Sequence, residues 1–197
     1  MIKMPCLFVR EFHGRDSFTI TEEVTSGCEW VLADEGTASR KRDGTACMFK
    51  GGQLFKRYDA KRDRRTGEYK MPPPGAIPCS DPDPVTGHWP HWTLIGPHDY
   101  WHAEAFARQA AELVDGATYE LCGPKLQGNP EHCSWHVLFR HGEEVYPDPP
   151  RTFESIRCLL DLHPIEGLVY AHPDGRCAKI RRADFGLPWP VSVEARP

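Results

Sequence analysis

Residues 39–65 read SRKRDGTACMFKGGQLFKRYDAKRDRR, and the glycine pair inside this stretch decides the fold around it. Residues 45–50 (TACMFK) and 53–58 (QLFKRY) are strand-prone runs on either side of Gly51-Gly52. A two-residue hairpin turn needs positive φ at both central positions, which paired glycines supply, so the stretch predicts a β-hairpin. Upstream, Lys41 precedes Asp43-Gly44 by two residues, and residues 28–35 (CEWVLADE) alternate as a strand leading into that lysine. Downstream, Lys56, Arg57, Lys61, Arg62, Arg64, Arg65 and Lys70 form a local positive band. The band admits two readings, a solvated charged loop or a surface that holds phosphates.

The rest of the chain alternates strands and helices. Residues 71–97 are rich in Pro, Gly, His and Asp, cannot make regular elements for long, and predict an ordered excursion or lid. Trp89 and Trp92 pin it to the body or offer rings to single-stranded bases. Asp99 predicts an N-cap for a helix over 100–114, with Ala103, Phe106, Ala110, Leu113 and Val114 on its inner face and Gly116 as its stop. Residues 117–123 and 134–140 read as strands, and 152–162 as a helix opened by Thr152. Residues 165–171 and 176–182 read as a last hairpin across His172-Pro173-Asp174-Gly175. This order predicts an α+β fold of mixed, largely antiparallel sheets flanked by helices, in one domain spanning 1–197.

The 197 residues carry a net charge of −4, which excludes a global attraction to nucleic acid. No opening stretch resembles a signal peptide and no apolar run spans a bilayer, so the expectation is a cytoplasmic protein without a membrane partner. The eight cysteines are scattered without a Cys-x-x-Cys, and they read as reduced thiols packed as small hydrophobes. His88, His91, His98 and His102, and separately His132, Cys133 and His136, are types that bind zinc, but their spacings match no closed four-ligand pattern.

Chemistry enters at Lys41-Arg42-Asp43-Gly44. A lysine amine is a nucleophile only when neutral, and nearby cations and desolvation lower its pKa. Arg40, Arg42, Lys179 and Arg181 supply such cations if the last hairpin folds back beside the lysine. Four further segments follow in order: Arg57 at the hairpin's end, YELCG (119–123), EGLVY (166–170) and Lys179-Ile180-Arg181.

Lys-x-Asp-Gly, an acidic strand, Glu-Gly-hydrophobic-Val and Lys-x-basic, in that order, resemble the motif series of the covalent nucleotidyltransferases, the superfamily of polynucleotide ligases and mRNA capping enzymes. YELCGPKLQGNPEHC, DPDPVTGHWPHW and HVLFRHGE are similar to the motif surroundings of a family of ATP-dependent RNA ligases. The likeness runs from about residue 3 to residue 189. It implies a ligase-type nucleotidyltransferase, or ATP-grasp-like, domain in which two mostly antiparallel sheets flanked by helices form a nucleotide cleft.

The resemblance also implies roles. Lys41 attacks the α-phosphorus of ATP to give a lysyl-AMP, while Lys179 and Arg181 grip the α-phosphate. The family usually has a second lysine where Arg181 stands; arginine keeps the charge with a planar fork. Glu166, with Glu120, holds Mg²⁺ or Mn²⁺; Glu120 alternatively accepts from ribose hydroxyls. Arg40, Asp43, Gly44, Arg57 and Phe139 complete the nucleotide pocket, Phe139 by stacking on adenine. Lys56, Lys61, Arg62, Arg64 and Arg65 receive RNA phosphates. The partner is RNA with 5′-phosphate and 3′-hydroxyl ends, joined through an adenylylated 5′ end.

Ligases and capping enzymes commonly append an oligonucleotide-binding barrel, and the tail after Arg181 is too short for one. The expectation is either a minimal adenylation domain without that barrel or a piece of a longer chain; in the first case strand binding falls to residues 56–70 and the excursion. Two alternatives stay open: a capping-type guanylyltransferase using GTP, and a non-catalytic RNA-binding relative.

Overall fold

The computed structural model describes residues 4–14, 17–84 and 86–191. The stretches 1–3 and 192–197, at the two ends of the expected domain, lie outside the described residues. The chain divides into two compact units, Gly44–His141 and the pair of segments Met4–Asp43 and Gly142–Pro197. Both are built mostly of antiparallel strands with few helices, an α+β architecture.

The discontinuous unit begins with β1 (Phe8–Phe12) and β2 (Phe18–Val24), an antiparallel pair. A single-turn helix α1 (Glu29–Leu32) leads to β3 (Thr37–Lys41). Residues 28–35 were expected as a strand and are not one. Cys28 and Trp30 with Val31 bury one side of a turn instead, and Asp34 (φ 62°) and Gly36 (φ 68°) bend the chain before β3 begins. A side chain at Gly36 would meet the Ala171 carbonyl oxygen at 2.5 Å, so the entry to β3 requires glycine.

In the hairpin unit, β4 (Thr45–Lys50) and β5 (Gln53–Asp59) pair as expected, with Lys50 opposite Gln53. Gly51 (φ 58°) and Gly52 (φ 76°) make the turn. The excursion holds only short elements, β6 (Ile77–Pro78) and β7 (Pro90–Leu94). Pro90 is the first residue of β7, a position where its missing N–H costs little, and the apolar run after it joins β5.

Helix α2 (Tyr100–Gln109) is shorter than expected. The carboxylate of Asp99 does not cap it; it accepts from Gly96 N at 2.7 Å and Lys56 Nζ at 2.5 Å. The buried position is Ala105 rather than Ala103 or Ala110, and Gly116 (φ 77°) serves the turn before β8. β8 (Thr118–Cys122) and β9 (Val137–Arg140) complete a six-stranded sheet of order β6-β7-β5-β4-β8-β9. One face packs Cys47, Phe49, Leu54, Tyr119, Leu121 and Leu138 with Ala105 of α2; the other packs Met48, Phe55 and Trp92.

The chain then returns to the first unit through β10 (Val145–Tyr146), α3 (Phe153–Leu162), β11 (Gly167–Ala171) and β12 (Cys177–Arg181), followed by a 3₁₀ turn, Arg182–Phe185. α3 opens as read, with Thr152 and Ser155 in a reciprocal capping box. The sheet order is β10-β3-β11-β12, all antiparallel. Ala38, Leu168, Tyr170, Ala178 and Ile180 point from one face into a core with Leu7, Phe8, Trp30, Ile156 and Leu160. Strand alternation therefore sends Ser39, Lys41, Lys179 and Arg181 to the opposite face.

Candidate functional site

Register places the chemistry of the discontinuous unit. Lys41 of β3 lies opposite Gly167 of β11, which lies opposite Arg181 of β12; one step along, Ser39, Val169 and Lys179 form the next row. Directly opposed residues share a face, so Lys41, Arg181 and Lys179 project together. Gly167 leaves the space between Lys41 and Arg181 clear. It is also fixed by the backbone, since a Cβ there would sit 2.1 Å from the Ile180 carbonyl oxygen.

Glu166, one residue before β11 and only 7% exposed, turns its carboxylate to Lys41, with Nζ to Oε2 at 2.5 Å. Lys41 also donates to the Arg42 carbonyl oxygen at 3.3 Å, and its side chain is 19% exposed, so the lysine is sheltered. Burial, then the charges of Lys41, Arg181 and Arg10, push the Lys179 ammonium below the ordinary lysine range, with Glu166 opposing them.

Arg181 is braced from behind. The Asp184 carboxylate accepts from its Nη2 at 3.0 Å and from its backbone N–H at 2.9 Å. Arg10 Nη2 donates to the same Oδ1 at 2.7 Å. Asp184 is buried, and Cys6 Sγ lies 3.8 Å from its Oδ2; burial, then the Asp184 charge, push the Cys6 thiol up. Reading the sequence missed Arg10 and Asp184. Asp184 stands only three residues after Arg181, and that Arg-x-x-Asp spacing was the available signal.

Two predicted cations face elsewhere. Arg40 lies opposite Leu168, on the core side of the sheet, and reaches Glu144 Oε1 at 3.5 Å. Arg42 meets Glu144 Oε2 at 2.6 Å. Asp43 accepts from Trp189 Nε1 at 2.8 Å, a partner the sequence reading did not name.

The hairpin unit gathers a second group. Glu120 lies opposite Phe139 on one side and Ala46 on the other. Met48 lies opposite Phe55, so Ala46 and Arg57, each two residues along, share that face. Arg57, Glu120 and Phe139 thus occupy one face of one sheet. Arg57 stacks over Trp92, its opposed residue, at 5.5 Å from the ring centre. Glu120 Oε2 lies 2.9 Å from His141 Nε2, and His141 Nδ1 lies 2.9 Å from Thr118 Oγ1. His141 was not singled out. Gly44 packs so closely on β8 that a Cβ would meet the Leu121 carbonyl oxygen at 2.2 Å.

The positive band divides. Lys56 points to the helix side and pairs with Asp99 at 2.5 Å. Lys61, Arg62, Arg64 and Arg65 are exposed around a turn in which Asp63 Oδ1 accepts from Arg65 N and Thr66 N. Trp92 is buried, and Trp89 donates from Nε1 to Ser80 O at 3.1 Å, which pins the excursion. Among the described residues no three His, Cys, Asp or Glu side chains converge as a metal cage. His88 is held by Asp59, and His136 by Glu104 at 2.7 Å. No helix among the described residues is long and apolar enough to cross a membrane.

No protein-family model matches the chain, and no curated protein matches it in sequence.

Proposed function

We propose that the chain is an ATP-dependent RNA ligase that joins 5′-phosphate and 3′-hydroxyl ends through a lysyl-AMP intermediate. One observation carries the reading: Lys41 and Arg181 stand in one cross-strand row with glycine between them, Lys179 stands one row along, and Glu166 meets the lysine amine at 2.5 Å. A structural surface lysine needs none of these neighbours. A lysine that takes up an anionic phosphoryl group needs a proton acceptor and adjacent cations.

In the first step Lys41 Nζ forms a bond to the α-phosphorus of ATP, and the bond from that phosphorus to the bridging oxygen breaks. Pyrophosphate leaves with the electron pair. The proton that the amine sheds passes to the Glu166 carboxylate. Lys179 and Arg181 offset the negative charge that builds on the α-phosphate oxygens. A phosphate oxygen of the RNA 5′ end then displaces Lys41 from the adenylate. Finally the 3′-hydroxyl attacks the activated 5′-phosphorus, and AMP leaves.

A divalent metal fits as a companion of the triphosphate rather than as a resident of a protein cage. Mg²⁺ takes one or two carboxylates together with phosphate oxygens and waters, and Glu166 offers such oxygens. When bound it would supply charge neutralisation. Arg57, Glu120 and Phe139, sharing a sheet face, are assigned to the ribose and base. Exposed Lys61, Arg62, Arg64 and Arg65 are assigned to RNA phosphates, which predicts salt-sensitive strand binding.

The test is incubation with α-labelled ATP or GTP and Mg²⁺. An acid-labile, alkali-stable label on Lys41 from ATP is the expected result. Labelling by GTP alone would instead indicate a capping-type guanylyltransferase, and no label with either would leave an RNA-binding module.

A further inference from the structure

The brace behind Arg181 has a second arm that the reading above does not use. Arg10 meets the same Oδ1 of the buried Asp184 that Arg181 meets, at 2.7 Å against 3.0 Å. Its guanidinium lies over the Phe18 ring at 4.8 Å. About a fifth of the side chain, 21%, stays exposed. A cation held by a ring and a buried carboxylate, and still partly exposed, is placed to meet a second anion. Around this end of the sheet, Lys41, Lys179, Arg181 and Arg10 outnumber Glu166 and Asp184.

Order across the sheet says which anion. Lys41 is on β3, Arg181 is two strands away on β12, and the segment leading into β1 pairs next beyond, with Cys6 bridging Lys179 and Leu7 N donating to Lys179 O at 2.8 Å. Lys41 and Arg10 therefore flank Lys179 and Arg181. In phosphoryl transfer the attacking and leaving atoms lie roughly in line through phosphorus. With Lys41 attacking from one side and the α-phosphate on Lys179 and Arg181, the leaving oxygen points away from Lys41, toward Arg10.

We propose that Arg10, oriented by Asp184, binds the β- and γ-phosphates of a nucleoside triphosphate and receives the departing pyrophosphate. Asp184 acts as a positioning residue for both arginines. The assignment rests on the nucleotidyl-transfer reading of Lys41. In the step it serves, the Lys41–phosphorus bond forms, the phosphorus–bridging-oxygen bond breaks, and the pyrophosphate oxygen departs with the pair.

The test compares wild type, Arg10→Ala, Arg10→Lys and Asp184→Asn, each as the full chain. Three readouts are taken: covalent labelling against ATP concentration, reversal of the label by inorganic pyrophosphate, and sealing of pre-adenylated RNA, which involves no pyrophosphate. Arg10→Ala is expected to raise the ATP concentration for half-maximal labelling and the pyrophosphate concentration for half-reversal about tenfold each. Sealing of pre-adenylated RNA should fall far less, and Arg10→Lys should recover part of the loss. Asp184→Asn should raise both concentrations and, by loosening Arg181, also slow sealing.

An Arg10→Ala response to ATP and pyrophosphate like that of wild type overturns the assignment and leaves Lys41 chemistry standing. Equal losses in labelling and sealing also overturn it, because they mark a purely structural arginine. No label in wild type removes the Lys41 reading itself, and Arg10's role with it. Should Asp184→Asn fail to fold, the arginine variants decide the question alone.

Discussion

Lys41 and Glu166 form a sheltered pair, with side chains 19% and 9% exposed, and that shelter changes what a substitution does. On the proposed reading Lys41→Ala removes the nucleophile, so covalent labelling should vanish. It also leaves a buried carboxylate short of one partner, which costs about 1–3 kcal/mol. Urea unfolding of Lys41→Ala, Glu166→Gln and the double variant checks this, with the double less destabilised than the sum of the singles. A strictly additive cycle would mean that the two groups do not interact in solution. Lys179 supplies a pH signature. On the proposed reading its ammonium is the form that binds phosphate, and burial with neighbouring cations holds its pKa below the usual lysine value. That charge is lost as pH rises through the lowered pKa, so affinity for a non-hydrolysable ATP analogue should fall at lower pH than an ordinary lysine would dictate. Lys179→Arg should flatten the profile. In the free protein the sign reverses: the unfolded chain keeps its proton to higher pH than the folded one, so this group's contribution to stability improves as pH rises between the two pKa values. A nucleotide affinity independent of pH up to the ordinary lysine range would refute the shift.

At the scale of elements, Gly167 and Thr152 make opposite forecasts from the same unit. A methyl at Gly167 must displace the Ile180 backbone, 2.1 Å away, and β12 carries Lys179 and Arg181. Gly167→Ala should lower labelling at least a hundredfold and lower the melting temperature. Thr152→Ala loses only a capping box at the start of α3, a cost of about 1 kcal/mol, and labelling at 25 °C should stay within twofold of wild type. The two readouts together separate a strand that positions chemistry from a helix that supports the core. Both features were legible in the sequence, because a Thr-x-x-Ser cap and a Glu-Gly before an apolar run are local signals. What stayed hidden is non-local. Residues 28–35 alternate like a strand, yet α1 forms because Trp30 and Val31 are buried together in the core. β7 lies in a proline-rich stretch and is a strand because β5 gives it a partner. The same limit governs the site: Lys41, Glu166, Lys179 and Arg181 were named from motif order, whereas Arg10, Asp184 and His141 acquire partners only through register and folding.

For the molecule as a whole, the consequential fact is that, among the described residues, one compact unit is continuous in sequence and the other is assembled from both sides of it. Each has its own buried cluster, with Leu160, Leu168 and Ile180 in one and Leu54, Leu121 and Leu138 in the other. A buried leucine cut to alanine costs about 2–5 kcal/mol through lost transfer energy and the cavity left behind. Leu160 and Leu121 are both fully buried, so the two truncations should be comparably harmful overall. Their local effects should differ. If each cluster holds its own unit, Leu160→Ala should raise amide hydrogen exchange first in β3, β11 and β12, and Leu121→Ala first in β4, β5 and β8. Exchange measured by mass spectrometry at peptide resolution reads this directly. Uniform acceleration along the chain by either variant would mean that the units open as one cooperative block. The stakes reach the proposed chemistry, because β3 carries Lys41, β12 carries Lys179 and Arg181, and β11 joins the two strands. Under separate opening, Leu160→Ala should depress labelling near its melting range, while a Leu121→Ala protein of equal stability should keep Lys41 and its row intact and be impaired only through the residues assigned to the base and ribose.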